Sequence, residues 1–142
     1  MILCFHRYKG GLPVLFVLFL LFSHDSTSQD ITGHWRWFKQ DRAFTIFLYK
    51  PKSDDELLGS YDLIGKHCGQ YYNGGRIDCA EQLSVFLKKE RDNIFTGTIK
   101  SAYSDGISEI RILYSPKTNQ INWQVIKGVG QFYFPHDAIL EK

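Results

Sequence analysis

Apolar and polar residues alternate with a period of two over most of the chain, the spacing of half-buried strands. The clearest case is Ser108 to Tyr114, where Ile110, Ile112 and Tyr114 face one way and Glu109 and Arg111 the other. Ile31 to Phe38 places Trp35 and Trp37 on one face, with His34, Arg36 and Phe38 on the opposite one. Ala43 to Lys50 holds the β-prone run Phe44-Thr45-Ile46-Phe47-Leu48-Tyr49, stopped by Pro51 and the polar Lys52-Ser53-Asp54-Asp55. Glu56 to Ile64 reads as the next strand, with Leu57, Gly59, Tyr61 and Leu63 on one face and a bend at Gly59. Further strands are expected at Leu83–Lys88, Ile94–Lys100, Ile121–Val125 and Gln131–Phe134, with Ala138-Ile139-Leu140 pinning the tail to the core. Arg91-Asp92-Asn93, Ser104-Asp105-Gly106 and Ser115 to Asn119 read as turns. No amphipathic helix stands out. Eight or nine short strands joined by hairpin turns predict an all-β, antiparallel barrel or sandwich.

The punctuation centres on His67-Cys68-Gly69-Gln70-Tyr71-Tyr72-Asn73-Gly74-Gly75-Arg76-Ile77-Asp78-Cys79. Asn73-Gly74-Gly75 supplies the positive φ angles of a tight hairpin turn, because glycine has no Cβ to clash. Ten residues lie between Cys68 and Cys79, and a hairpin brings such a pair within bridging reach. Closing that loop stabilises the fold by roughly 3 kcal/mol in the chain-entropy account. The plainer reading is a staple across a long loop. The functional reading is a rigid recognition tip carrying Tyr71, Tyr72, Arg76 and Asp78. Arg76 and Asp78 share a strand face, which predicts an exposed ion pair worth ~0–1 kcal/mol. A zinc set of His67, Cys68, Asp78 and Cys79 is disfavoured, because adjacent strand residues point to opposite faces.

Residues 1–28 read as a secretory signal peptide, with Arg7 and Lys9 ahead of the apolar run Leu12 to Phe22. Eleven residues are too few to span a bilayer, which takes about 20. Ser26 and Ser28 suit a cleavage site before Gln29; the rival is an uncleaved anchor. The expected result is a single domain over 29–142, secreted or periplasmic, with no membrane span after cleavage. Cys4 leaves with the leader, and the two remaining cysteines fit one disulfide in an oxidising compartment.

Removing Arg7, Lys9 and Asp25 takes the formal charge from +2 to +1. No Lys/Arg run offers a footprint for nucleic acid, so the composition disfavours specific nucleic-acid binding and no such partner is expected. A monomer is expected. Catalytic signals are thin. His34, His67 and His136 read as surface or turn histidines, and no serine or cysteine sits in a nucleophile elbow. Asp54, Asp55 and Glu56 lack calcium-loop spacing. Gly128-Val129-Gly130 lacks the third glycine and helix of a dinucleotide site. No catalytic residue, metal or cofactor is expected. The aromatic content of 15% fits either a packed β core or a barrel lined for an apolar ligand.

Gly33-His34-Trp35 resembles the Gly-x-Trp opening of lipocalin-like barrels. The resemblance implies a calycin-type barrel of about eight strands, with Trp35 a structural plug at its closed end. That family also stacks an arginine from the last strand on the tryptophan; this chain has no arginine after Arg111. Thr32-Gly33-x-Trp35, Tyr72-Asn73-Gly74-x-Arg76-Ile77-Asp78-Cys79 and Phe132-Tyr133-Phe134-Pro135 together resemble a group of small exported bacterial proteins of unknown function. The expectation is thus an exported, non-enzymatic barrel that binds an apolar small molecule inside or a protein at the disulfide tip. The alternatives are an envelope inhibitor or immunity-type protein and, behind it, a small hydrolase.

Overall fold

A computed structural model describes residues 30–142. The leader, its cleavage site and Cys4 lie outside the described residues. Nine strands and no helix form the described chain: β1 (Gly33–Lys39), β2 (Arg42–Tyr49), β3 (Leu63–Tyr71), β4 (Arg76–Cys79), β5 (Val85–Arg91), β6 (Ile94–Lys100), β7 (Ile107–Ser115), β8 (Gln120–Lys127) and β9 (Asp137–Glu141). Among the described residues no helix is long and apolar enough to cross a membrane.

All pairings are antiparallel, in the order β2-β1-β9-β8-β7-β6-β5-β3, and β2 pairs back onto β3. The eight strands therefore close into a lipocalin-like barrel. β3 is the junction. Its first residues, Leu63 to Gly65, pair with β5, and its last, Cys68 to Tyr71, pair with β4. β4 is thus a ninth strand outside the ring.

Alternation fills the interior. Phe44, Ile46 and Leu48 of β2, Ile110 and Ile112 of β7, Ile121 and Trp123 of β8, and Ala138 and Leu140 of β9 point inward into one cluster with Trp35. An eight-stranded ring is just wide enough for side chains to fill. Residues at both ends pack onto this cluster, and at the end where β2 leads into β3 a solvent-open cavity of about 360 Å³ reaches Ile31, Leu63 and Phe95. At one end Trp35 is fully buried, donates its Nε1–H to the Ile31 carbonyl at 2.8 Å, and meets the edge of Tyr114. Lys142 Nζ lies 5.2 Å from the Trp35 ring centre, so the chain's last residue supplies the cation that no late arginine could.

At the other end the segment after β8 folds in as a plug. Phe132 and Phe134 stack at 4.2 Å, Phe134 meets Trp123 edge-on, and the Trp123 Nε1–H donates to the Pro135 carbonyl at 2.9 Å. This plug passes so close to β3 that a Cβ on Gly69 would lie 2.2 Å from the Tyr133 carbonyl oxygen.

Three strand boundaries differ from expectation. Glu56 to Ser60 is a turn-rich loop rather than a strand, and β3 begins only at Leu63. The cause is Asp55: its Oδ1 accepts the N–H groups of Leu57 and Leu58, and its carbonyl accepts that of Gly59. Gln131–Phe134 forms the plug, not a strand. The pinned tail is instead β9, whose five residues complete the barrel wall.

Candidate functional site

The hairpin of β3 and β4 carries the tip. Gly74 and Gly75 have φ of 106° and 62°, as the turn demands. Cys68 and Cys79 are direct cross-strand partners and are joined by a disulfide. Tyr72 N–H donates to the Asp41 carbonyl at 2.8 Å, which ties this turn to the neighbouring β1–β2 turn.

Asp78 sits at the root of the hairpin and is buried completely. Its Oδ1 accepts from His67 Nε2 at 2.9 Å and from the Ala102 N–H at 2.7 Å. Its Oδ2 accepts from Ser101 Oγ at 2.8 Å and from the Tyr133 N–H at 3.1 Å. Burial alone would raise this carboxyl. The bonds from His67, Ser101, Tyr133 and Ala102 outweigh burial and hold it at about 2, below the ordinary 3.8. One carboxylate thereby locks β4 to β3, to the loop after β6 and to the plug.

The expected exposed Arg76–Asp78 pair does not form. Asp78 turns inward, and among the described residues no carboxylate lies within ion-pair distance of Arg76. His67 is likewise not a surface histidine: its ring is buried between Asp78 and Ser84. In the neutral ring the proton sits on Nε2, facing the carboxylate, and Nδ1 accepts from Ser84 Oγ at 2.7 Å.

Ser84, His67 and Asp78 thus form a hydroxyl–imidazole–carboxylate chain. Its order is reversed from the serine-hydrolase relay, in which the hydroxyl bonds Nε2 and the carboxylate Nδ1. All three groups are at most 2% exposed, and the Ser84 oxygen also takes the His67 backbone N–H at 3.2 Å. Each member is bonded within the fold, so the chain clamps β3, β4 and the segment before β5 together. Among the described residues no group of three His, Cys, Asp or Glu is placed to hold a metal. Cys68 and Cys79 are bonded to each other, and His67 to Asp78, which leaves the zinc set without free ligands.

Above this clamp lies an aromatic and cationic surface. Tyr71 is half-buried, accepts a hydrogen bond from Arg42, and packs edge-on against Tyr133 at 5.3 Å. Tyr103 packs edge-on against Tyr133 at 4.7 Å, and its hydrogen bond with Tyr133 raises its phenol above the usual value. Arg76 lies over the Tyr133 ring at 5.4 Å. Tyr72 is 61% exposed and Ile77 57%. Tyr71, Tyr72 and Arg76 therefore do share one tip, whereas Asp78 holds it from beneath.

Tyr103, Tyr133 and the clamp residues His67, Ser84 and Ser101 were not legible as members of this site. The one local signal is the plug's Phe132-Tyr133-Phe134, too aromatic to remain a free loop. No protein-family model, no curated protein and no solved structure matches the chain.

Proposed function

We propose that this chain is an exported, monomeric, non-enzymatic β-barrel that binds a protein partner through its disulfide-braced tip. One contrast carries the reading. The barrel interior is lined by one cluster of seventeen buried apolar side chains, while the tip presents exposed Tyr72, Tyr103, Ile77 and Arg76 on a rigid base. Tyrosine and arginine dominate the energetics of protein interfaces, and a pre-ordered loop loses little entropy on docking. The apolar leader and the disulfide support export to an oxidising space. The same contrast weighs against uptake of an apolar molecule inside the barrel, which needs an unfilled cavity.

Immobilised protein in its oxidised form tests this against extract from the expressing organism. The expected result is one captured partner, lost with Tyr72→Ala or Arg76→Ala while the thermal midpoint stays within a few degrees. Capture that ignores both substitutions, or saturable binding of a hydrophobic dye that quenches the buried tryptophans, would overturn the reading.

A further inference from the structure

Resting on the tip reading, we propose that the free edge of β4 receives an extended segment of the partner as an added strand, with an Asp or Glu of that segment opposite Arg76. Among the described residues β4 is the one strand with a single neighbour, since the other eight close on themselves. Its register shows which groups are free. Cys79 faces Cys68, and the next N–H, that of Ala80, donates to the His67 carbonyl at 2.9 Å. In antiparallel pairing hydrogen-bonded positions alternate, so Arg76 and Asp78 bond to β3 while Ile77 and Cys79 turn their N–H and C=O groups outward. Those outward groups are what an added strand pairs with.

Three further features select the occupant. The edge is pre-ordered by the disulfide and by the four bonds to Asp78. Among the described residues no carboxylate lies within ion-pair distance of Arg76, and the acid on its own strand, Asp78, is buried and saturated. A carboxylate directly across an added strand would complete a charge-assisted pair. Beside the base of β4, a solvent-open cavity of about 360 Å³ is lined by Cys79, Ala80, Glu81, Lys100, Ala102 and Asp105 among others. It accepts one side chain of the incoming segment.

A second copy is the poorer occupant. It would bring another Arg-Ile-Asp-Cys strand whose single carboxylate is already enclosed. The four-residue length of β4 also limits the added strand to a short segment and works against open-ended stacking.

Panning a library of random ten-residue peptides on the oxidised protein, then measuring fluorescence anisotropy of a labelled recovered peptide, tests this. The expected peptides share an Asp or Glu at one position. Their binding weakens about tenfold or more with Arg76→Glu, one charge-assisted pair being of that order. Ile77→Pro weakens it similarly, because the ring blocks the edge at an N–H that the register turns away from β3. N-methylation of the peptide backbone should abolish binding at every second position, a readout that needs no protein variant.

Absence of an acidic position, equal binding to Ile77→Pro, or indifference to N-methylation would overturn the inference. So would a concentration-dependent dimer that Ile77→Pro dissolves. A protein partner lost with Tyr72→Ala but retained with Ile77→Pro sinks the added strand and leaves the tip reading standing. Peptides that follow the edge pattern beside a partner that ignores Tyr72→Ala do the reverse.

Discussion

Replacing Asp78 by asparagine keeps the shape and removes the charge, and its cost follows from the donors around it. If the amide NH2 takes the Oδ1 position, it faces His67 Nε2 and the Ala102 N–H. The histidine can shift its proton to Nδ1 and accept; the backbone N–H cannot. If the NH2 takes the Oδ2 position, it faces Ser101 Oγ and the Tyr133 N–H. The hydroxyl can turn toward the Gln131 carbonyl, 3.3 Å away, but the backbone N–H again cannot. Either way one buried donor is left against another donor, which costs about 1–3 kcal/mol, and the remaining bonds lose their charge assistance. The expected loss is about 2–4 kcal/mol at pH 7, a large share of a domain's ~5–15 kcal/mol.

The pH dependence gives an independent check. The folded carboxyl sits at about 2, against 3.8 ordinarily. A depressed acid stabilises the fold fully above the unfolded value, and the contribution disappears as pH falls through the folded one. At ~1.4 kcal/mol per unit the contribution is about 2 kcal/mol. Urea denaturation followed by tryptophan fluorescence should therefore show the gap between wild type and Asp78→Asn narrowing between pH 4 and pH 2. A gap below about 0.5 kcal/mol at pH 7, inside the range of ordinary surface substitutions, or one that stays constant down to pH 2, would refute the clamp.

Cys68→Ser should cost about 2–4 kcal/mol in the same assay, and reductant should destabilise the wild type by a like amount while leaving the variant unchanged. Gly69→Ala sets a Cβ 2.2 Å from the Tyr133 carbonyl oxygen, so the ~1–3 kcal/mol of overpacking should exceed the ~0.4–1 kcal/mol gained by stiffening the unfolded chain. Near-UV circular dichroism should report the accompanying disturbance of Trp123, and an unchanged spectrum with raised stability would remove the plug from the account. Lys142→Ala should cost ~0.5–1 kcal/mol through loss of the cation over Trp35, with no change in the tip's binding.

The barrel was legible where one face of a strand is wet and the other dry. Ile110, Ile112, Ile121, Trp123 and the β2 run announce their own periodicity, and Asn73-Gly74-Gly75 announces the turn that lets Cys68 meet Cys79. Local pattern failed where the partner is distant. Leu57 belongs to an alternating run, yet it is 86% exposed because Asp55 curls the backbone ahead of β3, which begins at Leu63. Phe132 and Phe134 look like strand residues, and their plug role depends on Gly69, far back in β3. Asp78 looks like a surface acid beside Arg76. Its four donors come from 11 to 55 positions away, so nothing near it in the chain signals burial. The tip was therefore visible as a loop, and the clamp beneath it only as a fold.

Photo-crosslinking in the expressing cells tests the working surface most directly, with a benzophenone side chain placed at Tyr72 or, at the far end of the barrel, at Leu57. The account predicts one discrete protein adduct from position 72 and none from position 57. Adducts from position 57 alone, or the same products from both positions, would contradict it.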